Sequence, residues 1–173
     1  MAITKLIPLV LAALLAGPID APTPAPAQQH WAWPLSPKPS VRRTFDPPDK
    51  PWLSGHRGVD LGAEHDGGLV TTGAAVTSPA DGVVTFAGVV VDRPVLTIDH
   101  GGGLRSSFEP VTSELKPGDH VAKGDTIGTV AAASGSGHCP GTCLHWGVRR
   151  GEEYINPLGL VQDLRPSILL PLD

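Results

Sequence analysis

Ser78-Pro79-Ala80-Asp81-Gly82-Val83-Val84-Thr85-Phe86-Ala87-Gly88-Val89-Val90-Val91-Asp92-Arg93-Pro94-Val95-Leu96-Thr97-Ile98 decides the fold. Two β-branched runs of strand length are joined by Asp92-Arg93-Pro94, a turn signal, and the first is opened by Asp81-Gly82. That is the pattern of an antiparallel hairpin. Moving outward, Val76 and Ile127-Gly128-Thr129-Val130 are further strand candidates, and Gly101-Gly102-Gly103 is another turn. A faint internal echo links Gly73-Ala74-Ala75-Val76 to Gly118-Asp119-His120-Val121 and Gly124-Asp125-Thr126-Ile127. The whole reads as an all-β, antiparallel, two-sheet sandwich or barrel, with regular structure from Gly55 onward and one turn of helix within Leu158 to Leu164.

Composition agrees. The chain has 173 residues, the length of one domain, and its 40% hydrophobic content is enough for a packed core. Gly 21 and Pro 19 punctuate it too often for many long helices. A net charge of −4 and the absence of a Lys/Arg cluster argue against nucleic acid as a partner. The two cysteines, Cys139 and Cys143, exclude a cysteine-rich zinc module and a disulfide-dense miniprotein.

Lys5 precedes the apolar run Leu6 to Gly17, which is too short to span a bilayer, and small residues follow at Ala21 and Ala25-Pro26-Ala27. Residues 1–27 therefore read as a signal peptide, which makes the chain secreted or resident in the cell envelope, with no stable membrane span after processing. Residues 28–54 read as a proline-rich leader that packs onto the domain near its end, 55–160 as the folded domain and 161–173 as a C-terminal tail. Trp31, Trp33 and Trp52 are expected to plug the open end of the β structure rather than to stack on sugars.

Chemistry-bearing residues lie at the two ends of the β region. His56-Arg57-Gly58-Val59-Asp60 sets an imidazole and a carboxylate four residues apart, and Cys143-Leu144-His145 sets a thiol and an imidazole on one face of a strand. Two histidines and an aspartate are a usual zinc set, with a fourth position open in catalytic sites. Spacing alone also fits solvated loop residues. For the cysteines two readings exclude each other. A Cys139–Cys143 disulfide suits an oxidising compartment and the turn at Pro140-Gly141; alternatively, Cys143 is a fourth metal ligand.

From about Gly55 to Leu158 the sequence resembles the lysostaphin-like zinc endopeptidases, which cut peptide cross-links in bacterial peptidoglycan. His56 to Asp60 looks like their first metal motif and Ser78 to Gly88 like their central hairpin. Leu96 to Gly101, Leu115 to Gly128 and Leu144 to Arg149 are similar to the segments that follow. The resemblance implies an antiparallel two-sheet fold of the duplicated hybrid motif type with a groove, Zn2+ held by His56, Asp60 and His145, and a peptidoglycan peptide as substrate. It also exposes two departures. Cys143 stands where the family has the first histidine of a His-x-His pair, and in Phe108-Glu109-Pro110-Val111 the position of the other non-ligand histidine is Pro110. Glu109, His138 or Cys143 are the local groups that could compensate as acid or base. His65, His100 and His120 read as turn or surface residues.

Two function classes follow. One is an exported zinc metallopeptidase acting on peptidoglycan cross-links. The other is a catalytically degenerate module that binds cell wall or regulates an amidase, with a cell-wall enzyme as partner. A biotin or lipoate carrier, hinted at by Gly118 to Asp125 around Lys123, fits poorly with a signal peptide and the three ligand candidates.

Overall fold

The computed structural model describes residues 31–62, 72–132 and 142–162. Strands dominate: β1 (Ser40–Arg43), β2 (Gly58–Gly62), β3 (Ala75–Thr77), β4 (Gly82–Val90), β5 (Arg93–Asp99), β6 (Leu104–Glu109), β7 (Val111–Thr112), β8 (His120–Val121), β9 (Thr126–Val130), β10 (Leu144–Arg150) and β11 (Glu153–Ile155), followed by α1 (Leu158–Val161). The fold is all-β and antiparallel. One sheet runs β1-β2-β10-β6-β5-β4-β8 with β11 beside β10, and the second runs β3-β9-β7.

Period-two alternation places the core. Val59 and Leu61 of β2, Leu144, Trp146 and Val148 of β10, Phe108 of β6 and Leu96 and Ile98 of β5 are fully buried on one face of the large sheet. They form one cluster with Val76, Val111, Ile127 and Val130 of the small sheet. Each such side chain contributes roughly 1.5–3 kcal/mol by leaving water. The hairpin of β4 and β5 contains a bulge between Val84 and Phe86, which lets Val84 point inward opposite Ile98 while Phe86 faces out opposite Thr97.

The internal echo is turn chemistry. Asp119 and Asp125 each close an i to i+3 turn by donating from the backbone to the carbonyls of Lys116 and Ala122, at 3.0 Å in both cases. Each aspartate side chain accepts the amide of that same residue at 2.8 Å. Gly118 and Gly124, at φ of 100° and 91°, supply the left-handed backbone that the third position demands.

Regular structure begins earlier than the sequence suggests. β1 lies within the proline-rich stretch and pairs with β2; as a four-residue edge strand with two exposed arginines it has too little apolar periodicity to be read. Trp31 is a core residue, 5% exposed, stacked on Trp146 with ring centroids 6.3 Å apart. Trp33 packs at the edge of that core, whereas Trp52 is exposed. The residues before 31 and after 162 lie outside the described part of the chain, as do His65 and His30. Among the described residues no helix is long and apolar enough to cross a membrane.

Candidate metal centre

β2 and β10 run side by side with Asp60 opposite His145. Because Val59, Leu61, Leu144 and Trp146 are committed to the core, alternation sends Asp60 and His145 to the other face. His56 comes from the loop before β2, where its backbone exchanges two hydrogen bonds with Asp46. All three side chains are buried, at 1%, 0% and 8% exposure for His56, Asp60 and His145. His56 Nε2 lies 3.0 Å from Asp60 Oδ1 and 3.1 Å from His145 Nδ1, and His145 Nδ1 lies 2.8 Å from Asp60 Oδ1.

Hydrogen bonding fixes one tautomer. His56 Nδ1 is 2.7 Å from the Thr44 carbonyl oxygen, which can only accept, so Nδ1 carries a proton and the ring turns Nε2 toward the cluster. Protons alone satisfy the three atoms poorly. If each histidine donates to Asp60 Oδ1, two N–H groups face each other at 3.1 Å. Asp60 Oδ2 is also buried without a hydrogen-bond partner among the described residues, an arrangement that costs about 1–3 kcal/mol. A cation serves all these lone pairs at once. Ligands at about 2.0–2.2 Å in a tetrahedron stand roughly 3.3–3.6 Å apart, only a few tenths of an ångström wider than the triangle seen here, and two imidazoles with one carboxylate suit a borderline-soft divalent ion. His56, Asp60 and His145 form a group able to hold a metal.

Burial pushes the Asp60 carboxyl up. Hydrogen bonding to His145 and the charges of His145 and His56 outweigh burial and hold it below the usual carboxylate range. Gly58 is required by close approach, since a Cβ there would meet His145 Nε2 at 2.7 Å and overlap the Trp146 carbonyl.

The candidates for acid–base work are placed differently. Glu109 is the partner of His145 across β6 and β10, so the two share a face, and its Oε2 is 3.9 Å from Arg93 Nε. Cys143, two residues before His145, is disulfide-bonded. Its sulfur is therefore no thiolate and cannot act as a fourth ligand. Cys139 and His138 lie outside the described residues.

One structural histidine escaped the sequence. His100 is half-buried rather than a solvated turn residue: Nδ1 donates to the Asp81 carbonyl at 2.9 Å and Nε2 accepts from Ser106 Oγ at 2.9 Å. Ser106 Oγ in turn accepts Trp146 Nε1 at 3.5 Å, and Trp31 packs on the His100 ring with centroids 4.5 Å apart. Burial lowers its pKa, more than the Asp81 and Ala80 carbonyls raise it. Its position after a strand and before three glycines gave no signal of this. His120, by contrast, is exposed as expected.

Comparison with known proteins places this geometry. An uncharacterised protein of Mycobacterium tuberculosis is 40% identical over 148 residues, which cover 81% of this chain and 54% of the relative. The same figures hold for an uncharacterised protein of Mycobacterium bovis, so the chain spans about half the length of the curated relatives it matches. Among solved structures, Csd3 of Helicobacter pylori superposes with a TM-score of 0.58 at 27% identity, over 80% of this chain and 36% of that one. The catalytic domain of lysostaphin, the antimicrobial peptidase of Staphylococcus simulans, shares the fold with a TM-score of 0.55 at 19% identity, over 71% of this chain and 92% of that one. Residues 54–157 match the model of Peptidase family M23, a span that runs from the loop carrying His56, through Asp60, to beyond His145, and the chain belongs to that family.

Proposed function

We propose that this chain is an exported zinc metallopeptidase acting on peptide cross-links of bacterial peptidoglycan, with residues 1–27 as signal peptide, 28–54 as leader, 55–160 as peptidase domain and 161–173 as tail. One observation carries the reading: the convergence of His56 Nε2, Asp60 Oδ1 and His145 Nδ1 within 3.1 Å beside an orphaned Asp60 oxygen. These three residues would hold Zn2+, which when bound polarises a carbonyl and lowers the pKa of its water to about 7. Thr44 fixes the His56 tautomer through its carbonyl. Glu109, on the same face as His145 and with its Oε2 3.9 Å from Arg93 Nε, is the carboxylate positioned to accept a proton.

The test is incubation of the processed protein with purified peptidoglycan. New amino termini should appear, and chelation or His145→Ala should remove them. A protein that takes up no stoichiometric zinc when zinc is supplied would sink the ligand assignment. Binding without new termini would instead support the second reading, a degenerate module that binds cell wall or regulates an amidase. That reading is favoured by the disulfide at Cys143 and by Pro110, since neither side chain can move a proton.

A further inference from the structure

A second concavity lies on the face of β10 that carries His145. It is a cavity of about 390 Å3 lined by Pro47, Pro48, Pro51, Arg57, Arg149 and Tyr154, with Glu152 and Glu153 completing its wall. His145, Gly147 and Arg149 alternate along one face, so Arg149 stands four residues, or about 13 Å, from the metal ligand. Arg57 joins the two places. It follows His56 in sequence, and its Nη2 donates to the Pro51 and Leu53 carbonyls at 2.6 and 3.1 Å, holding the proline segment that walls the cavity.

Arg149 is only half used. Its guanidinium lies over the Tyr154 ring, 5.4 Å from the centroid, which fixes the plane of the fork. On the edge formed by Nε and Nη2, Nη2 donates to Glu152 Oε2 at 2.7 Å, whereas Nε is buried and has no acceptor among the described residues. The Glu152 side chain is 99% exposed, so this ion pair is screened and easily exchanged. A carboxylate that replaced Glu152 and lay side-on would accept from both nitrogens, converting one bond into the bidentate pair that arginine forms best. Glu152 and Glu153 balance the formal charge of the two arginines, so selection here comes from the fork rather than from net charge.

We infer that this cavity is an anchoring subsite for a carboxylate of the peptide ligand, engaged by Arg149 about four residues along the extended chain from the His56/Asp60/His145 cluster. The inference rests on the peptide-ligand reading proposed above. The proline rings and Tyr154 give the neighbouring apolar atoms of that ligand a rigid wall.

Calorimetric titration of the zinc-loaded full chain tests it, with soluble peptidoglycan fragments bearing free carboxylates as one probe and the same fragments amidated with carbodiimide as the other. The free-carboxylate probe should bind at least about 10-fold tighter, Arg149→Gln should erase that preference, and Glu152→Gln should widen it by removing the internal competitor. Equal affinity for the two probes, no binding of either, or a preference untouched by Arg149→Gln overturns the inference. Because Glu152→Gln acts in the opposite direction, a folding defect in Arg149→Gln cannot imitate the expected pattern. Carboxylate preference with no new amino termini would overturn the peptidase reading and leave the anchor standing, whereas cleavage without the preference would do the reverse.

Discussion

Two histidine clusters sit against the same large sheet, one fully buried and one half-buried, and they are built on opposite principles. Around His100 every polar group closes: Trp146 Nε1 points to Ser106 Oγ, Ser106 to His100 Nε2, and His100 Nδ1 to the Asp81 carbonyl. Around His56, Asp60 and His145 the lone pairs converge on one another and an oxygen is left over. A satisfied network holds a core together and asks for nothing further, whereas an unsatisfied one in so buried a place marks where something else binds. The difference separates a structural histidine from a functional one without reference to any relative.

The strongest way to break this contrast is to remove a ligand. Asp60→Ala should weaken zinc affinity by more than about 100-fold, since even outer partners of metal ligands are worth 10- to 100-fold, and elemental analysis after dialysis would read it. Retained stoichiometric zinc would mean that the convergence of the three side chains has another cause. Chelation is the companion experiment. At zinc about 100 times above its Kd the ion stabilises the fold by about 2.7 kcal/mol, so a chelator should lower the thermal midpoint of the wild type and leave that of Asp60→Ala unmoved.

The satisfied cluster should respond in the opposite sense. Ser106→Ala removes the hydroxyl between Trp146 Nε1 and His100 Nε2, leaving a buried donor and a half-buried acceptor unmet, at about 1–3 kcal/mol in stability. Denaturant midpoints should shift accordingly while zinc content stays the same. Loss of zinc in this variant would show that the clusters are coupled through β10, where Trp146 directly follows His145.

The sequence made these regions legible to different degrees. The valine-rich runs of β4 and β5 and the Ile127 to Val130 run announced themselves through β-branched content, because their interior positions need nothing but shape. β6 did not, since Ser106 occupies an inward position that only its hydrogen bonds justify, and β1 was hidden by the prolines around it. His56 and Asp60 are an i, i+4 pair and visible as such, but His145 is 85 residues from Asp60 and joins it through strand register alone. Resemblance to a family supplied that third ligand. His100 had no such help, because its partners are a carbonyl, a hydroxyl and Trp31, a residue assigned to the leader.

The smallest expected effect sharpens the contrast through pH. Burial lowers the His100 pKa from its ordinary value of 6.5, so between that value and the folded pKa the unfolded chain binds more protons than the folded one. Stability from this group is therefore fully present above about pH 6.5 and is lost as pH falls through that window, with a slope of at most about 1.4 kcal/mol per pH unit for one proton. Asp60, held below its ordinary 3.8, contributes stability that is present above that value and lost only in stronger acid. On acidification the His100 contribution thus begins to fall at a higher pH than that of Asp60. His100→Gln cannot titrate, so subtracting its stability profile from that of the wild type isolates the His100 contribution. The difference should change as pH falls below about 6.5 and be flat above. A difference that changes instead below pH 4 would place the acid-sensitive part of this contrast at the carboxylate and not at His100.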